Sequence, residues 1–236
     1  MKLGIILALQ LLVSVASQEL SIDKYNHTFE ALCENCELDL EYDNKESCII
    51  ERLTNQSYVD INQPSINGTY PLQWATIQDY VELSAVLITM GADVNASDVT
   101  GKTALHFAAL GGSDEITLDL LNAGADIDAK DENQETSLMM ALNMMIQNIT
   151  KQHSPNLKYV KVTELLVDGG ADLDIQGSGG WVPLHYVAIA ALPNLVKRLL
   201  VKGADPNIMN EKGMTPMMLA YYWGFDWNQI IIIFLS

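Results

Sequence analysis

Basic side chains are scarce in this sequence. It has 13 Lys and Arg against 30 Asp and Glu, a formal net charge of −17. A chain this acidic repels nucleic acid and anionic membrane surfaces, so neither is expected as a partner. The acidity speaks chiefly for solubility and only weakly for a basic partner. Cysteine is also sparse, with three residues, Cys33, Cys36 and Cys48, all in one stretch. Three cannot all pair within one chain, so one is free or bridges to another chain. A structural zinc site wants four Cys or His ligands at ordered spacing, which is not found. Glu34 and Asn35 lie between Cys33 and Cys36. Neighbouring acids raise a thiol pKa, and no βαβ context surrounds the pair, so redox catalysis is not expected. The four histidines, His27, His106, His153 and His185, form no Ser/Cys-His-acid arrangement. No phosphate-binding glycine loop or metal motif occurs, so no catalytic, cofactor or metal residue is expected. Gly177-Ser178-Gly179-Gly180 reads as a hairpin turn, because no strand precedes it and no phosphate-binding helix follows.

What the chain does have is a repeated phrase. Gly91-Ala92-Asp93, Gly124-Ala125-Asp126, Gly170-Ala171-Asp172 and Gly203-Ala204-Asp205 recur at spacings of 33, 46 and 33 residues. A fixed period near 33 is the mark of a stacked helical repeat, and 46 is 33 plus a 13-residue insertion. A second phrase keeps step with it: Tyr70-Pro71-Leu72-Gln73, Thr103-Ala104-Leu105-His106, Thr136-Ser137-Leu138-Met139, Val182-Pro183-Leu184-His185 and Thr215-Pro216-Met217-Met218. Gly68, Gly101, Gln134, Gly180 and Gly213 stand two residues before these starts. The register puts the insertion in repeat three, roughly over 144–157, where an exposed loop is expected. Each position has a physical use. Thr caps a helix and Pro suits its first turn. Gly after the second helix ends it in the left-handed conformation. The apolar run Ile116, Leu118, Leu120 and Leu121 is expected to fill the space between repeats.

These motifs in fixed register resemble the ankyrin-repeat family over roughly residues 65–236. The resemblance implies an all-α solenoid of about five helix-turn-helix repeats joined by hairpin loops. It implies noncatalytic protein binding through a concave face, and structural roles for His106 and His185 as hydrogen-bond links between repeats. Carried over by register, the partner-contact positions are Val99, Thr100, Lys102 and Leu110 in repeat two, and Glu132, Asn133, Glu135, Asn143 and Met144 in repeat three. Repeat four supplies Ser178, Gly179, Trp181 and Ile189, and repeat five Glu211, Lys212, Met214, Tyr222 and Trp223. Trp74, Phe107, Met140, Tyr186 and Leu219 hold a position that the family uses for core packing.

Residues 1–17 read as a secretory signal, with Lys2, the apolar stretch Leu3–Ala16 and small residues at Val15-Ala16-Ser17. The apolar stretch is short for a span, and no membrane span is expected after cleavage. Residues 18–64 carry the cysteines and many acids, and are expected to form an N-terminal cap. In a secreted chain the default for Cys33, Cys36 and Cys48 is a disulfide. Sequons at Asn26, Asn55, Asn67, Asn95 and Asn148 agree with a glycosylated extracellular protein. The run Ile230–Leu235 is apolar on every side where a terminal repeat is normally polar. This run or the odd cysteine could join two copies, so a structural, self-associating protein is the alternative to a monomeric binder.

Overall fold

The computed structural model describes residues 28–37, 44–55, 59–152, 156–190 and 192–223. The signal segment, Asn26 and Ile230–Leu235 lie outside the described residues, and so does the side chain of Asn148. The chain forms two compact units, Met1–Pro71 and Leu72–Ser236.

The first unit contains α1 (Phe29–Glu37) and α2 (Lys45–Asn55). Phe29, Leu32 and Cys33 of α1 are buried, as are Cys48, Ile49 and Leu53 of α2. A disulfide joins Cys36 to Cys48, while Cys33 stays outside it and is buried. An interchain bridge through Cys33 would require that side chain to turn out to solvent. Downstream, the Asn62 N–H donates to the Asp60 carboxylate over 2.9 Å. The same turn recurs at Asn95 on Asp93, Asp128 on Asp126, Asp174 on Asp172 and Asn207 on Asp205. Asp60 stands 33 residues before Asp93, so Val59-Asp60-Ile61-Asn62 is a further, degenerate copy of the repeated phrase.

The second unit is a helical array. After α3 (Pro71–Ile77) and α4 (Val81–Thr89) come α5 (Ala104–Gly111), α6 (Asp114–Asn122), α7 (Ser137–Gln152) and α8 (Leu157–Asp168). Then follow α9 (Pro183–Ile189), α10 (Pro193–Val201) and α11 (Pro216–Tyr222). Among the described residues there is no strand, only an isolated bridge between Lys130 and Thr136. First helices stack in one row, with α7 between α5 and α9 and α9 against α11. Second helices stack in another, α4 on α6 and α6 on α8. Ala108, Ala109, Ala141, Ala188 and Ala220 are all buried, and their small side chains let the first-helix row pack closely.

Two expectations need correction. The insertion in repeat three is not a loop over most of its length: α7 runs 16 residues, to Gln152. In repeat two the helix stops at Gly111-Gly112, and Gly112 takes φ +74°. The matching residues of repeat three are Met144 and Met145, both good helix formers, and Met145 is fully buried. With the stop signal gone, the helix continues. His153-Ser154-Pro155 lies outside the described residues. The second correction concerns α6. Ile116 and Leu120 are buried, but Leu118 is 46% exposed. Two residues along a 3.6-residue turn is about 200°, so Leu118 faces away from the row that Ile116 and Leu120 fill.

Candidate functional site

The face built by the hairpins and first helices is held by one repeated link. Thr103 N–H donates to His106 Nδ1 over 3.0 Å, and Val182 N–H donates to His185 Nδ1 over 3.1 Å. A ring nitrogen that accepts leaves its proton on the other. Nε2 therefore donates onward, from His106 to the Glu135 carbonyl at 3.2 Å and from His185 to the Met214 carbonyl at 3.0 Å. Repeat one makes the link with an amide: Gln73 Nε2 donates to the carbonyls of Ala96 and Lys102, each over 2.9 Å. Both histidines are fully buried, and burial, the largest influence, holds each imidazole below its ordinary value. They are neutral joints, as the resemblance implied.

The joint between repeats three and four is built differently. Met139 occupies the histidine position and has no ring nitrogen to donate. In repeats two, three and five the hairpin carries an Asp or Asn side-chain oxygen that caps its own turn, at Asp98, Asp131 and Asn210. Asp131 accepts from the N–H groups of Asn133 and Glu135, and Asn210 from those of Lys212 and Met214. The matching residue in repeat four is Gly177, which has no side chain. Glu135 of the preceding hairpin supplies the acceptor instead. Its Oε1 accepts from the Ser178 N–H at 3.2 Å, and Tyr186 OH donates to the same carboxylate at 3.3 Å. A Cβ at residue 177 would lie 2.6 Å from Met139 Sδ and 3.2 Å from Glu135 Oε1, so the missing side chain is what admits both.

Burial, the largest influence, raises the Glu135 carboxyl above its ordinary 4.5 despite these bonds. An acid raised in the fold contributes stability that is full below pH 4.5 and is lost as pH rises through the folded value. Glu135→Gln keeps an acceptor for Ser178 and removes the buried charge. It is therefore expected to be at least as stable as wild type at pH 7, with the difference closing by about pH 4. Glu135→Ala is expected to lose about 1–2 kcal/mol at pH 7. Urea unfolding across that pH range checks both, and a Gln variant as weak as the Ala variant would show that the charge itself is required.

The register residues divide by environment. Val99, Glu132, Asn133, Asn143, Tyr222 and Trp223 are exposed, and so are Ser178, Glu211 and Lys212. Thr100, Leu110, Glu135, Met144, Gly179, Trp181, Ile189 and Met214 are half-buried. Lys102 is less available than its register implied. Its ammonium lies 3.1 Å from the carboxylate of Asp131, whose side chain is 1% exposed. Burial weighs most on that carboxyl and opposes ionisation. The Glu135 N–H, Lys102 and the Asn133 N–H outweigh it and hold the carboxyl below the usual range. Trp181 takes the place of Lys102 two repeats on. Its ring packs at 5.6 Å from His185 and 5.2 Å from Tyr186. Of the five residues assigned to core packing, Met140, Tyr186 and Leu219 are buried and Trp74 and Phe107 half-buried. Asn55, Asn67 and Asn95 are exposed, and the Asn95 side-chain oxygen accepts from the Asp126 N–H at 2.7 Å. The role of Glu135 as a turn cap was not read from the sequence. The signal was there in the paired loss of His at 139 and of Asp or Asn at 177.

The family model described as Ankyrin repeats (3 copies) matches residues 38–131 and 153–235. The first match begins inside the stretch read as a cap, in keeping with the turn at Asp60. The human protein phosphatase 1 regulatory subunit 27 is 38% identical over 81 residues, 34% of this chain and 49% of that protein. The human 2-5A-dependent ribonuclease is 39% identical over 62 residues, 26% of this chain and 8% of the enzyme. A putative ankyrin repeat protein of fowlpox virus is 32% identical over 76 residues, 32% of this chain and 18% of its own. The chain thus spans less than half the length of each, and the similarity to the ribonuclease covers a small part of that enzyme.

Proposed function

This chain belongs to the ankyrin-repeat family, and from that premise we propose that it is a secreted, noncatalytic scaffold that binds a protein partner through the hairpin and first-helix face. Repeats of this family suggest a protein-interaction role in general. The observation that carries the finer reading is Trp181, a half-buried aromatic of the repeat-four hairpin whose ring packs on His185 and Tyr186. A rigid, partly exposed aromatic seated on other rings is the kind of group that dominates interface energetics. Val99, Leu110, Asn143, Met144, Ile189 and Met214 would extend the contact on either side. Secretion is supported by the pattern of residues 1–17 and by the Cys36–Cys48 disulfide, which persists in oxidising compartments. Sequons at exposed Asn55, Asn67 and Asn95 fit the same compartment. The 18–64 segment remains, in this reading, a modified cap that includes a degenerate repeat.

The array used as bait on extracellular fluid should capture a partner. Trp181→Ala should then weaken binding by about 2 kcal/mol or more. Because Trp181 also touches two rings of its own repeat, some stability should go with it. Stability lost with binding unchanged would assign Trp181 to the fold alone. Expressed in a eukaryotic secretory host, the chain should enter the medium beginning near Gln18 and lose apparent mass on enzymatic deglycosylation. Recovery of cytosolic protein that retains Met1 would refute secretion.

A further inference from the structure

The joints between repeats are not alike. At the joint of repeats two and three, the His106 ring donates to the Glu135 carbonyl and the Glu132 N–H to the Thr100 carbonyl. The joint of repeats four and five has the same pair, His185 on the Met214 carbonyl and the Glu211 N–H on the Gly179 carbonyl. Between repeats three and four both are replaced. Met139 stands at the histidine position. The Ser178 N–H, which by register would meet the Asn133 carbonyl, donates to the Glu135 side chain instead. The second helices change at the same place. Helices α4, α6 and α8 stack closely, but α10 does not approach α8 to that degree. Long charged side chains span the gap: Arg198 reaches Glu164 over 3.2 Å and Asp168 over 2.5 Å, and Lys202 reaches Asp168 over 2.9 Å.

A stacked array is coupled only through its neighbours, so its cooperativity breaks where one interface contributes least. A buried hydrogen bond contributes more than an exposed ion pair, which water and salt screen. The four side chains that bridge α8 and α10 are each 36–49% exposed. Two contacts cross this joint as they cross the others. Helix α7 packs on α9, and the Asp205 N–H donates to Asp174 as the Asp172 N–H does to Asp128. These keep the two sides joined, while the hairpin and second-helix contacts are the ones that have been exchanged for charged side chains. We infer that the joint between repeats three and four is the array's conformational boundary, at which α9, α10 and α11 open from the preceding repeats as one unit. Trp181 lies in the hairpin of this joint, so a partner that grips Trp181 together with Leu110 or Met144 would hold it closed. The inference does not rest on the protein-binding reading, because the opening is a property of the free chain.

The test is amide hydrogen exchange of the full chain, read by mass spectrometry. Helices α9 and α10 are expected to share one opening and to exchange about tenfold or more faster than α5 and α6, with a step between α8 and α9. Met139→His combined with Gly177→Asn copies the residues of the other joints. It should slow α9 and α10 about tenfold, toward the rate of α5 and α6. Should that variant misfold, Arg198→Gln combined with Lys202→Gln is read instead, at half-exposed positions that the fold tolerates. It should speed α9 and α10 about threefold and leave α5 and α6 unchanged. Three results overturn the inference: one common rate throughout the array, a folded Met139→His/Gly177→Asn variant whose two rates stay as far apart as in wild type, or a charge variant that does not single out α9 and α10. A smooth rise in rate from α8 to α11, with no step, is ordinary fraying from one end and overturns it equally.

Discussion

Replacing His106 by Ala should lower the stability of the array by about 3–5 kcal/mol. The ring is fully buried, so its loss leaves a cavity. Two backbone groups also lose a partner, the Thr103 N–H and the Glu135 carbonyl. The protein contains its own control. Gln73 makes the corresponding link in repeat one, so His106→Gln should recover more than half of the loss. The pH dependence follows from the depressed pKa. A base held neutral in the fold contributes stability that is full above its ordinary 6.5 and is lost as pH falls through the folded value. Wild type should therefore weaken below about pH 6.5, and the Ala variant should weaken less in that window. Urea unfolding at pH 7.5 and pH 5.5 reads both effects. An Ala variant within about 1 kcal/mol of wild type, or a Gln variant no better than Ala, would show that the link is not what couples the repeats.

A comparable loss, about 3 kcal/mol or more, is expected for Gly180→Ala. Gly180 has φ +71°, which a Cβ disfavours by about 1–2 kcal/mol. The larger part comes from packing. A Cβ there would sit 2.9 Å from the Glu211 nitrogen and 3.2 Å from the Asn210 Cα, both backbone atoms of the next hairpin. That hairpin is held close because the Glu211 N–H donates to the Gly179 carbonyl over 2.9 Å. Backbone cannot rotate away as a flexible side chain can. Gly203 makes the comparison clean. Its φ is +104°, yet nothing lies within 4 Å of its Cβ position, so Gly203→Ala should show only the conformational part. Equal losses for the two variants in thermal unfolding would mean that hairpin contact contributes nothing.

The repeat itself was legible in the sequence because it is a matter of local chemistry in fixed register. A 33-residue period, Thr or Pro at first-helix starts, Gly at helix ends, and His106 and His185 three residues after the start of their phrase are all readable without coordinates. The same register carried His106 and His185 to their structural role. It failed where a residue's use depends on what the next repeat brings to it. Lys102 reads as a free hairpin cation, but the adjoining hairpin sets Asp131 against it. Leu118 reads as part of an apolar run, yet helix rotation turns it outward. The insertion reads as a loop because insertions usually are, whereas the absence of glycine at Met144 and Met145 lets α7 continue. Glu135 is the sharpest case. No property of the residue marks it as the turn cap of another repeat, and only the stacking distance brings it to Ser178 and Tyr186. The sequence by itself determined the family, the period and the start of the first helix in each repeat, since those follow from backbone preferences within a few residues. Tertiary structure alone decided which side chains face a partner and which hold neighbouring repeats together, since that depends on atoms 29 to 51 residues apart meeting across an interface.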